Sequence, residues 1–215
     1  MASKKFWLIV SAAIAALVYA AMWVGYLQNW AWLDTVDTQM LQAFHTIGAS
    51  RPGWVSFWTL FCAVFGPNGF RLLALVLLIV ALLRRNVLTA LFLVLSIGLM
   101  GMVTEGAKSL ADRPRPATAL VYASSTSFPS GHALGAMVGV LALLTVLWPS
   151  LTPGLRAWLG VLGGVLIVLV GLARVVLNVH HPSDVLAGWA LGYLYYLVCL
   201  QLVPRPETGV LVRLS

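Results

Sequence analysis

Six stretches of the chain stay apolar over about the length that crosses a bilayer: residues 6–27, 67–83, 87–107, 132–148, 155–176 and 184–203. A spanning helix needs about 20 such residues, within a range of about 17–25. Between the first two runs the pattern changes. "LDTVDTQMLQAFHTIG" sets Asp34, Asp37, Gln39, Gln42 and His45 among apolar residues at roughly helical spacing, and "PGWVSFWTLFCAVFGP" is too short to cross alone. Both are predicted to be helices lying at the membrane interface, where Trp and Tyr concentrate. The first run follows Lys4 and Lys5 but exceeds the 7–15 residues of a signal h-region, and no small-x-small site follows, so it is read as a retained span. The expectation is an all-α, polytopic membrane protein, one domain over 1–215, with six transmembrane helices and interfacial amphipathic helices between the first and second spans.

Composition strengthens this reading. Hydrophobic residues make up 61% of the chain and charged residues 9%, against about 45–50% and about 25% in a soluble domain. Lipid is the main solvent, and the bilayer is the expected partner; no nucleic acid is expected. Cys62 and Cys199 are far apart in apolar surroundings, so they form no disulfide framework, and four histidines without cysteine partners make no zinc pattern. No metal or cofactor is expected.

Six crossings put both termini on one side, with Lys4, Lys5, Arg84, Arg85, Arg156, Arg205 and Arg213; the other side has Arg51, Arg71, Lys108, Arg113, Arg115 and Arg174. The count is nearly even, but the first set sits at plain span ends and short turns, as topology determinants do. Cytoplasmic termini follow. A further crossing built from residues 54–65 would reverse this orientation.

Three polar islands interrupt the apolar runs: "KSLADRPRP" (108–116), "SFPSGHALG" (127–135) and "RVVLNVHHPSD" (174–184). The fourth and fifth spans form a hairpin, so the chain leaves one membrane face after the second island and returns to it at the third. All three share that face, here the extracytoplasmic one. Lys108, Arg115 and Arg174 bring three cations there with fewer acids, Glu105 and Asp112 among them, and an arginine fork matches phosphate geometry. Ser130 is a good N-cap before an apolar helix, so the backbone N–H groups around Gly131 would point at an anion. His180 and Asp184 are four residues apart with Pro182 between them. If a helix starts at Pro182, Asp184 falls in its first turn and reaches back to a histidine ring, which leaves the other ring nitrogen free to attack. His132 arrives separately as an acid. Spacing favours His180 over His181. Arg113 is assigned a structural part and His45 an interfacial one. The glycines of "GVLGG" (160–164) and "GWALG" (188–192) read as helix-packing faces.

These islands resemble, in order and spacing, the three signatures of the type 2 phosphatidic acid phosphatase superfamily: Lys, six residues, Arg-Pro; Pro-Ser-Gly-His; and Ser-Arg, five residues, His, three residues, Asp. The likeness spans roughly 105–190. It implies a metal-independent lipid phosphatase in the plasma (inner) membrane, its active site facing the periplasm or exterior. Polyprenyl pyrophosphate, phosphatidylglycerol phosphate, phosphatidic acid or a lipid A-like glycolipid are the implied substrates. It further implies that Lys108, Arg115, Ser130, Gly131 and Arg174 bind phosphate, that His132 is the general acid, and that His180 forms a phosphohistidine oriented by Asp184. One position departs: Ala173 stands where the family has serine, a loss of about 0.5–1.5 kcal/mol for one neutral hydrogen bond. Two other functions stay open: a phosphotransferase using the same phosphohistidine with a lipid or sugar acceptor, and a non-catalytic anionic-lipid binder or transporter. The haloperoxidase branch of the superfamily is soluble, and six spans argue against it.

Overall fold

The computed structural model describes residues 2–203; Arg205 and Arg213, counted above for the cytoplasmic side, lie outside the described residues. The backbone is helical throughout its ordered elements: α1 (Ala2–Leu27), α2 (Ala31–Gly48), α3 (Pro52–Phe65), α4 (Pro67–Leu83), α5 (Val87–Leu93), a π-helical turn (Val94–Gly98), α6 (Met100–Ala111), α7 (Gly131–Leu147), α8 (Pro153–Val176) and α9 (Pro182–Leu202). Among the described residues six apolar helical runs are long enough to cross a membrane, which makes this an all-α polytopic architecture. Leu72, Leu83, Met102, Leu155, Trp158 and Val161 are exposed on their outer faces, as lipid contact requires.

The second run extends further than its sequence pattern indicates. Pro52–Leu83 is one apolar stretch of 32 residues, which as a straight helix would be about 48 Å long at 1.5 Å per residue. It is broken instead. Gly66 is extended (φ −84°, ψ −173°) between α3 and α4, and the corner is so tight that a Cβ on Gly69 would lie 1.8 Å from the Val64 carbonyl oxygen. The prolines at 52 and 67 start each helix where a missing N–H costs nothing. After the corner, α3 packs its Val55, Trp58 and Phe61 against Ala173, Leu177 and Val179, at the end of α8 that bears Arg174.

At the centre is α7, whose Ala133–Ala136, Val138–Val140, Ala142, Leu143 and Val146 are buried. It packs against α9 at backbone distance. A Cβ on Gly188 would sit 2.6 Å from the Ser130 carbonyl oxygen, and one on Gly192 2.8 Å from that of Leu134. "GWALG" is therefore a packing face, as its small residues suggest. "GVLGG" is one at a single position. Gly163 faces Val140, while nothing lies within 4 Å of a Cβ on Gly160 or Gly164. Gly164 is turned about 100° around the helix from Gly163, so α8 presents it away from α7. On the other flank α1 packs along α9, with Ser11 and Tyr193 hydroxyls 2.8 Å apart.

The α7–α9 contact carries a stability prediction. Gly188→Ala would press a methyl onto the backbone where α7 starts, and backbone cannot rotate out of the way. A loss of about 1–3 kcal/mol is expected, read as a lower thermal midpoint in detergent. An unchanged midpoint would mean that the two helices are not this close.

Candidate functional site

Helix ends deliver the polar islands. α6 ends where Asp112 takes a left-handed conformation (φ 43°), leaving Lys108 in the last turn. The Lys108 ammonium donates to the Thr126 carbonyl. α7 begins at Gly131 because the Ser130 hydroxyl accepts the Ala133 N–H at 3.4 Å. The Ser130 N–H donates to the Asp184 carbonyl at 2.9 Å, tying the start of α7 to the start of α9. Arg174 lies in the last turn of α8, and Asn178 at φ 54° turns the chain toward His180. Pro182 opens α9, with Asp184 at its third position accepting the His181 N–H at 2.8 Å. The helix start and the place of Asp184 in its first turn follow the sequence reading.

Lys108, Arg115, Gly131, His132, Arg174 and His180 all line one cavity of about 520 Å³, together with Arg71, Glu105, Asn68 and Tyr122. The three islands thus converge. Ser130 and Asp184 do not reach the cavity: both have no exposed surface and stand behind its wall. Ser130 is a helix cap. Gly66 at the α3–α4 corner presses on His132, since a Cβ there would lie 3.0 Å from the ring Nε2.

The two neighbouring histidines have different surroundings. His180 lines the cavity, whereas the His181 ring turns its Nδ1 to Asp184 Oδ2 at 3.1 Å. Arg115 Nη1 lies 3.2 Å from His180 Nε2 and donates to the Val179 carbonyl at 2.6 Å. A guanidinium only donates, so Nε2 accepts, and the single proton of a neutral ring sits on Nδ1. Nδ1 faces Asp184 Oδ2 at 3.6 Å, too long for a hydrogen bond. The carboxylate is shared: Oδ2 also takes the Ser127 hydroxyl at 2.5 Å and the His181 N–H, and Oδ1 takes Arg113 at 2.7 Å. Burial pushes the His180 pKa down to about 3; Asp184 opposes the shift, and Arg174 and Arg115 add to it. The ring is neutral in the free site at physiological pH. Arg115 is lowered too, by burial first and then by Arg174, with Asp184 opposing. Mutual repulsion of this kind is relieved by an anion. The buried Nε of Arg174 has no hydrogen-bond partner, and a buried unpaired donor calls for an acceptor.

Sequence reasoning did not foresee the network behind the wall. Arg113 is buried and bridges two carboxylates, Asp184 at 2.7 Å and Asp37 of α2 at 2.9 Å. Asp37 also accepts the Ser183 N–H at 3.0 Å and its hydroxyl at 2.5 Å. The structural part expected of Arg113 is correct, but Asp37 is 1% exposed rather than on the wet face of an interfacial helix. One signal was available: Asp37 keeps the four-residue spacing of Leu33 and Leu41, which form the buried face of α2. Ala173, where the family has serine, packs with Cys62, Leu177 and Val179, two of which, Cys62 and Leu177, line the cavity.

Comparison with known proteins agrees with this geometry. A family model described as the PAP2 superfamily matches residues 89–207. Phosphatidylglycerophosphatase B of Bacillus subtilis is 35% identical over 53% of this chain and 58% of its own length. Undecaprenyl-diphosphatase of Sulfolobus acidocaldarius is 44% identical over 31% of this chain and 28% of its own. Lipid A 1-phosphatase of Rhizobium etli is 32% identical over 44% and 36%. The chain therefore spans little more than half the length of the curated relatives it matches, or less. A crystal structure of a transmembrane PAP2-type phosphatidylglycerolphosphate phosphatase from Bacillus subtilis superposes with a TM-score of 0.68 at 24% identity, covering 90% of this chain and 94% of that one. It shares the fold.

Proposed function

Because the chain belongs to the PAP2 superfamily, we propose that it removes a phosphate from a membrane lipid through a phosphohistidine on His180. One observation carries the reading: five ionisable side chains from three separate islands line one cavity, with the unprotonated Nε2 of a neutral histidine among the cations. Lys108, Arg115 and Arg174, with the Gly131 N–H, hold the phosphoryl oxygens; Ser130 contributes by starting α7. The Nε2 lone pair forms the N–P bond, the P–O bond to the lipid breaks, and His132 gives its proton to the departing oxygen. Water then attacks phosphorus, His132 takes a proton from it, and the N–P bond breaks to release orthophosphate. Asp184 stabilises the charge that builds on the His180 ring as it attacks. Phosphoryl transfer asks mainly for positioning and charge stabilisation, and these side chains provide both without a metal.

The relatives named above act on phosphatidylglycerol phosphate, undecaprenyl diphosphate and lipid A, and the substrate here is a lipid of that kind. The active site faces the outer leaflet and the termini face the cytoplasm, which leaves Arg84, Arg85 and Arg156 inside. The test is labelled phosphate release by detergent-purified protein from a prenyl diphosphate, phosphatidylglycerol phosphate and phosphatidic acid. Free orthophosphate that persists in EDTA and is suppressed by vanadate is expected. Label retained in lipid would instead identify a phosphotransferase, and no turnover of any of the three would overturn the enzyme reading.

A further inference from the structure

The roles assigned above leave one cation of the cavity unused. Arg71, in the second turn of α4, lines the same 520 Å³ space as His180 and the phosphate-binding set. It also lines an adjoining apolar groove of about 300 Å³ between α4 and the α5–π-turn segment, with Ala74, Leu78, Leu93 and Ile97. Arg71 therefore stands where the cation-lined cavity meets an apolar groove open to a lipid tail. Its Nη1 donates to Asn68 at 3.0 Å, and its Nη2 lies against α6 at Gly101, where a Cβ would be 2.8 Å away. Glu105 shares the cavity, yet among the described residues no acid lies within the 4.0 Å of an ion pair with Arg71. Arg71 is exposed near the site end of α4, and without a carboxylate partner its guanidinium fork is available to an anion such as phosphate.

Volume and charge agree. If each phosphate oxygen occupies about the 30 Å³ of a water, one phosphate takes roughly a quarter of the cavity. Lys108, Arg115 and Arg174 already supply a cation for each equatorial oxygen of the reacting phosphoryl.

We propose that Arg71 binds a second phosphate lying between the reacting phosphoryl group and the tail, so that the site selects lipids with two phosphates in series over lipids with one. This rests on the phosphatase reading. Two lipid classes carry such an inner phosphate. In a prenyl diphosphate it is the leaving group, and its charge rises as the bridging P–O bond breaks, so Arg71 acts on kcat. In phosphatidylglycerol phosphate it is a phosphodiester of constant charge, so Arg71 acts on KM.

Matched substrates isolate the second phosphate: a prenyl diphosphate against the same prenyl monophosphate, and phosphatidylglycerol phosphate against phosphatidic acid with the same acyl chains. Steady-state kinetics are compared for wild type, Arg71→Gln and Arg71→Lys. In Arg71→Gln, kcat/KM is expected to fall about 10- to 100-fold more on the two-phosphate member of a pair, the range for a lost charge-assisted hydrogen bond. Arg71→Lys should recover part of the loss, since it restores charge without the fork. A kcat effect assigns the diphosphate and a KM effect the phosphodiester. Activity on the one-phosphate lipids reports folding of the variants. Equal losses within each pair, no loss, or wild-type turnover of one-phosphate lipids alone would overturn the proposal. Wild-type protein inactive on all four lipids would overturn the phosphatase reading, and the proposal with it.

Discussion

His180→Ala is expected to abolish turnover, with kcat lower by about a thousand-fold or more, the scale seen when a covalent nucleophile is removed. The argument is geometric and electrostatic together. Nε2 is the ring atom that accepts from Arg115, and the low pKa of about 3 leaves its lone pair unprotonated over the neutral range. No other histidine in the wall replaces it: His181 spends its Nδ1 on Asp184, and His132 comes from a different helix and is assigned the acid's task in the proposed reaction. Labelled lipid phosphate quenched in acid-free conditions should leave label on wild-type protein and none on the variant. His180 is 2% exposed but makes no hydrogen bond from Nδ1, so the variant should remain a folded, monodisperse protein. A binder that used only the cations would lose little on this substitution. Retained turnover in the folded variant would therefore remove the phosphohistidine step.

Arg113→Ala should be the most damaging single change to stability. It strips the shared partner from Asp37 and Asp184, which are 1% and 0% exposed, and leaves both buried carboxylates without their common cation. Breaking a buried ion pair in this way costs about 3–5 kcal/mol, more than replacing the whole pair would. Thermal unfolding in detergent measures it. Asp37→Asn in the same background should restore part of the loss, because it removes one of the two stranded charges, and the non-additivity of the pair reports their coupling. Strictly additive effects would mean that Asp37 and Arg113 act separately. Phosphate release by whatever Arg113→Ala protein stays folded should also fall, since Asp184 loses the donor that fixes Oδ1.

Much of this was legible along the chain. Five of the six spans lie within about five residues of their expected ends, because bilayer thickness sets the length of an apolar run and caps set where it starts. Topological parity alone placed the three islands on one face, and the Pro182–Asp184 spacing placed a carboxylate in the first turn of α9. The pattern of residues 52–65 predicted a helix but not its neighbours: α3 folds back at Gly66 onto the end of α8 and helps wall the site.

What local pattern could not supply is pairing across distance. Asp37 and Ser183 are 146 positions apart, yet they share a hydrogen bond, and although Asp37 keeps step with Leu33 and Leu41 along α2, no local pattern names its partners. Likewise, which carboxylate oxygen serves which histidine, which glycine of α8 meets α7, and that Arg71 opens onto the same cavity as His180 all depend on how the helices rotate and cross. Span number, the shared face and the chemical inventory come from hydrophobicity and short-range backbone rules, which act on neighbours in sequence. The hydrogen-bond assignments and the shape of the cavity arise only when α2, α4, α6, α7, α8 and α9 pack together, because burial and ion pairing are properties of neighbours in space.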